Sequence, residues 1–132
     1  MKISSKAQYG LRAMAYLAKN PGKICPIAEI AAAENISPDY LEKIVSRLEK
    51  SAFLSAKKGK TGGYSLAKDP DKIRLSDLIG ALEGRKTLVK CIDGKCPKCR
   101  GCVAKGVWES VQIKIDRMLD RITLQDIVDG KI

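Results

Sequence analysis

The stretch ISPDYLEKIVSRLEKSAFLSAKKGKTGGYSL, residues 36–66, narrows the choice of folds more than any other part of the chain. Ser37-Pro38 opens a helix, with a capping hydroxyl followed by proline at the first helical position. Leu41, Ile44, Val45 and Leu48 then recur at i, i+3, i+4 and i+7, a stripe that must be buried on one side. Phe53-Leu54-Ser55-Ala56 and Tyr64-Ser65-Leu66 read as two short strands. KKGKTGG, residues 57–63, joins them as a basic, glycine-rich hairpin tip.

Two further helices are expected upstream. Ala7, Leu11, Met14, Ala15 and Ala18 keep helical spacing; Ser4 or Ser5 can cap the start, and Asn20-Pro21-Gly22 ends it. A short helix follows with Pro26 in its first turn and Ile27, Ile30 and Ala31 on one face. Glu34-Asn35-Ile36 is a turn of suitable length to join it to the next helix. Three helices and then a hairpin is the order of a winged helix-turn-helix, so the fold class is mainly α with a small β wing. In such folds the third helix enters the major groove and the wing lies along the DNA backbone or in the minor groove.

Beyond the wing, Leu75, Leu78, Ile79 and Leu82 make another helix, ending near Gly84. From about Ala104 the pattern is helical again, with Val107, Val111, Ile115, Met118 and Ile122 in line and Trp108 and Leu119 widening the stripe. That stripe is longer than a peripheral helix needs, which suggests packing against a second copy. Thr123-Leu124-Gln125-Asp126 restarts a last helical turn. The expected division is a DNA-binding domain over 1–83, a cysteine-rich loop over 84–103, and a dimerisation helix with a C-terminal turn over 104–132.

The charge distribution points to the same partner. Of the net +10, residues 1–68 contribute 12 basic and 5 acidic side chains, and residues 85–105 contribute 7 and 1. A positive excess placed this way suits a polyanion, nucleic acid before membrane. On the third helix, Tyr40, Lys43 and Arg47 share one face at i, i+3 and i+7, with Ser37 and Asp39 at the end that usually approaches base edges. On the wing, Lys57, Lys58 and Lys60 surround a tip that Gly59, Gly62 and Gly63 allow near another backbone. The chain has no histidine, and no carboxylate pair or phosphate-binding loop stands out, so an enzyme is not expected.

Four of the five cysteines lie in CIDGKCPKCRGC, residues 91–102: Cys91, Cys96, Cys99 and Cys102. Met1-Lys2 is followed by no apolar run of signal-peptide length, and no stretch suits a membrane span, so the expected compartment is the cytoplasm, where thiols stay reduced. Four sulfurs in one loop suit a tetrahedral zinc site or an iron–sulfur cluster. A disulfide or a dithiol redox switch would use the same residues. Lys90, Lys95, Lys98, Arg100 and Lys105 would offset thiolate charge. Cys25 stands apart, before Pro26 at a helix start where the dipole could lower its pKa; a small buried hydrophobe is the commoner role.

Taken together, SSKAQYGLRAMAYLA, ISPDYLEKIVSRLEKSAFL, KGKTGGYSLAKDPDKIRLSDLIGALEG, the cysteine loop, the Trp108 helix and ITLQDIV resemble the bacterial winged-helix regulators of the IscR, NsrR and CymR type over nearly the whole chain. The resemblance implies a homodimeric transcription regulator on a double-stranded, palindromic operator. Its cluster-binding members sense iron–sulfur status, redox state or nitric oxide. It implies DNA contacts at Ser37, Asp39, Tyr40 and Lys43 and along the wing at Lys58, Gly59, Lys60, Thr61, Gly62 and Gly63. Lys43 stands where a relative has glutamine. Cys91, Cys96 and Cys102 match the three cysteines of the cluster-binding members. Their variable fourth ligand is a histidine, here Lys105, or an acidic residue of the partner's first helix, here Gln8. Cys99 is the candidate that replaces both. The cofactor is then a 4Fe–4S or 2Fe–2S cluster, with zinc as the alternative.

Overall fold

The Ser4 hydroxyl accepts from the Ala7 N–H at 3.1 Å and starts helix α1, Ser5–Ala18. The computed structural model describes residues 2–84, 87–89, 92 and 101–132. Helix α2, Ile27–Glu34, follows, with Pro26 just outside it at the cap. Asn35 then adopts the left-handed conformation (φ 53°), reversing the chain into α3, Pro38–Lys50. Ser37 occupies the cap position of α3, but its hydroxyl makes no capping bond, against the sequence expectation. Strands β1, Leu54–Lys57, and β2, Gly63–Leu66, pair antiparallel with Leu54 opposite Leu66 and Lys57 opposite Gly63. After a 3-10 turn at Pro70–Lys72 come α4, Leu75–Glu83, α5, Val103–Arg121, and α6, Leu124–Asp129. None of the helices among the described residues is long and apolar enough to cross a membrane.

The core is built around Met14, Ile30, Leu41, Ile44, Leu48, Ile73, Leu78 and Leu82, each fully buried. All four residues of the α3 stripe are in it. On α1 the buried line is Ala7, Gly10, Ala13, Met14 and Leu17, rotated by nearly a quarter turn from the expected stripe; Leu11, Ala15 and Ala18 are half-buried. The physical reason is crowding, because α1 packs against α2, α3, α4, α6 and β2 and so buries more than one face. Gly10 permits this, since a Cβ there would collide with the Leu82 side chain on α4.

The chain end returns to this core. Leu75 N–H donates to the Ile122 carbonyl at 2.8 Å, and Leu124 N–H donates to the Ile73 carbonyl at 2.8 Å. Thr123 and Asp126 close a reciprocal capping box that starts α6. Leu124 is fully buried, so the last turn packs with the winged domain rather than with the long helix before it.

Candidate nucleic-acid interface and cysteine loop

On α3, burial of Leu41, Ile44, Val45 and Leu48 fixes which residues turn outward. At about 100° per residue the direction opposite that stripe holds Asp39, Lys43, Ser46 and Lys50. Asp39, Lys43 and Lys50 are exposed and Ser46 is half-buried. Tyr40 and Arg47 lie at the edge of the stripe instead. Tyr40 is half-buried and meets Tyr9 of α1 edge to face, with ring centroids 5.7 Å apart. The Arg12 guanidinium lies over the Tyr9 ring, 5.6 Å from its centroid, and bonds the Glu34 carbonyl. The Arg47 Nε–H donates to the Ala81 carbonyl of α4 at 3.0 Å. Ser46 and Lys50 were missed by the sequence reading; a helical wheel centred on the buried stripe would have found them.

The wing completes the cleft. Asp39, Glu42, Lys43, Ser46 and Tyr64 line an open groove between α3 and β2. Two backbone bonds fasten the wing to the segment before α2: Cys25 N–H to the Tyr64 carbonyl at 2.9 Å, and Tyr64 N–H to the Cys25 carbonyl at 2.8 Å. Gly63 has to be glycine here, because a Cβ would run into the Cys25 carbonyl and the Pro26 nitrogen. Lys57, Lys58, Gly59, Lys60 and Thr61 are exposed, with Gly62 N–H closing the tip onto the Gly59 carbonyl at 3.0 Å. Three exposed lysines thus cluster at the tip of a wing whose second strand borders the groove against α3, an arrangement suited to phosphate neutralisation near a groove-reading helix.

Cys25 is fully buried. Burial first, then the Glu29 carboxylate, push its thiol up, opposite to the lowering a helix start would give. Glu29 itself is held below the ordinary carboxylate range, chiefly by Lys23 and then by the Tyr16 hydroxyl, which donates to it at 2.7 Å. Cys25 therefore acts here as a small apolar residue under the wing.

Of the cysteine loop, Cys91, Cys96 and Cys99 lie outside the described residues. Cys102 is exposed and takes the N-cap position of α5, without a side-chain capping bond. At the two variable ligand positions, the Lys105 ammonium lies 3.7 Å from Glu109, and the Gln8 amide N–H donates to the Ile3 carbonyl at 2.9 Å. Downstream, α5 packs on α4, and among its described residues only Gln112 is buried. Val107 is 53 % exposed, Met118 56 % and Val111 37 %, leaving an apolar line uncovered within one protomer.

The Rrf2 family profile, described as an iron-dependent transcriptional regulator, matches residues 3–130. The chain belongs to the Rrf2 family. It is 33 % identical to the HTH-type transcriptional regulator IscR of Sodalis glossinidius over 99 % of its length and 81 % of that protein. It is 35 % identical to CymR of Bacillus subtilis over 96 % of its length and 89 % of that protein. The solved structure of CymR, the global cysteine regulator of B. subtilis, superposes with a TM-score of 0.87 at 32 % identity, covering 98 % of each chain. That of T. potens IscR superposes with 0.81 at 33 % identity, covering all of this chain and 89 % of the other. The winged-helix reading is therefore shown, as is transcription regulation through DNA, in a family of regulators rather than enzymes.

Proposed function

We propose that this Rrf2 protein is a homodimeric regulator whose affinity for a two-fold symmetric operator is set by an iron–sulfur cluster on Cys91, Cys96, Cys99 and Cys102. The observation that carries the reading is the placement of Cys102. It stands at the N-cap position of the helix whose apolar line is left uncovered, so the loop and the surface suited to a second copy are continuous in the chain. A change at the loop then acts on the element between two winged domains. The donor set fits a cluster: four thiols, no histidine, and at the variable ligand positions Lys105 and Gln8, a charged ammonium and a neutral amide, both poorer donors than thiolate. The family's description as iron-dependent and the likeness to IscR support iron over zinc. A bound cluster would supply redox and ligand-exchange chemistry. The protein's own part is to hold it with thiolates offset by nearby lysines, and to present Asp39, Lys43, Ser46, Lys50 and the wing to DNA.

The test is binding to a duplex that the protein itself selects from a randomised library, measured anaerobically with the cluster loaded and removed. Coupling of ordinary size gives about a 5–150-fold difference in affinity. Equal affinity in both forms would contradict sensing through the loop.

A further inference from the structure

Arg47 stands on α3 at the position where a groove contact was expected and is exposed, and its Nε–H donates to the Ala81 carbonyl, 34 residues away, at 3.0 Å. Ala81 lies in the last turn of α4, Leu75–Glu83. The final carbonyls of a helix have no partner within the helix and carry the negative end of its dipole. A guanidinium there makes a charge-assisted bond in a fixed direction, and a lysine cannot reproduce the planar N–H geometry. The same turn of α4 makes two further connections. The Glu83 carboxylate accepts from the Ser4 N–H at 2.5 Å, holding the start of α1. Gly84 then leads into the cysteine loop, whose Leu88 N–H is held by the buried Gln112 of α5 at 2.8 Å.

We propose that Arg47 is a positioning residue that locks the recognition helix to the C-terminal turn of α4, so that a displacement of the cysteine loop reaches α3 through the Ala81 carbonyl. The bond joins the DNA-reading helix to the element from which the loop departs. Arg47 sets the angle of α3 and does not touch phosphate. Its coupling role rests on the cluster reading above; its positioning role does not.

The experiment uses the full-length protein and the library-selected duplex, with Arg47→Ala, Arg47→Lys and, as a phosphate-contact reference, Lys58→Ala. Lys58→Ala should weaken selected and random DNA alike and lower the log–log salt slope by about 0.9. Both Arg47 variants should lose roughly tenfold on the selected duplex, with random-DNA affinity and salt slope unchanged. The loaded-to-unloaded affinity ratio should shrink toward one. If Arg47→Ala instead behaves like Lys58→Ala, and Arg47→Lys behaves like the wild type, the residue is a phosphate contact and the proposal is overturned. Should Arg47→Ala fail to fold, Arg47→Lys decides alone, because it keeps the charge and loses the geometry. If the wild-type ratio is already one, the sensing reading fails, while the salt slope and the selected-to-random ratio still judge the positioning role.

Discussion

The recognition helix α3 and the long helix α5 carry apolar stripes of similar regularity, and the protomer treats them in opposite ways. Leu41, Ile44, Val45 and Leu48 of α3 are all but inaccessible, whereas Val107, Val111 and Met118 of α5 stay open to solvent. An apolar line of that length left bare is unusual on a monomer and marks a surface meant for a partner. The difference separates two tasks. One stripe stabilises the winged domain by itself; the other, in the homodimer proposed above, would be covered by a second copy.

Substitutions in the two stripes should therefore fail differently. Ile44→Ala removes buried carbon from a closely packed site and should lower unfolding stability by about 2–5 kcal/mol in urea titration. Val111→Lys should leave the winged domain folded by circular dichroism but convert the dimer to monomer in sedimentation, with loss of tight binding to the selected duplex. A dimer unchanged by Val111→Lys would place the interface elsewhere.

A smaller effect tests the winged side alone. Ala52, between α3 and the wing, holds a φ of 65°, a region costly for any residue with a Cβ. Ala52→Gly relieves that strain but adds freedom to the unfolded chain, so the net gain should be at most about 1 kcal/mol in the same titration. A loss of stability would show that the turn is held by contacts of the Ala52 methyl group.

How far the sequence was legible follows the same division. Spacing and punctuation placed every helix of the winged domain within a few residues. They did so because each apolar stripe there is answered by another in the same chain, and because Ser4, Asn35, Gly84 and Thr123 sit at element ends with the conformations or bonds that end-forming residues supply. Rotation was less legible. On α1 the buried line depends on five neighbours, which no local pattern encodes. On α3 the expected face took in Tyr40 and Arg47, whose long side chains lean across the surface to Tyr9 and to the Ala81 carbonyl, Arg47 staying exposed, while the shorter Ser46 was passed over. Side chains that can reach either solvent or a neighbouring element cannot be assigned by spacing alone. The fate of the chain end was hidden for a related reason: the return of Leu124 to the core depends on the pairing of residues 73–75 with 122–124, a long-range contact. The chemistry of the cysteine loop was legible only as a donor set.

That donor set holds the central claim, and anaerobic purification with visible absorbance and iron and sulfide analysis tests it most directly, on the wild type and on Cys99→Ser beside Cys91→Ser, Cys96→Ser and Cys102→Ser. The account predicts iron and sulfide together in the wild type, and comparable damage to the cluster in all four variants, because serine oxygen, the Lys105 ammonium and the Gln8 amide are all poorer iron donors than thiolate. The winged domain should stay folded in each. A wild-type protein holding zinc without sulfide would contradict the cluster; a normal cluster in Cys99→Ser, with the other three variants empty, would contradict the assignment of its fourth ligand.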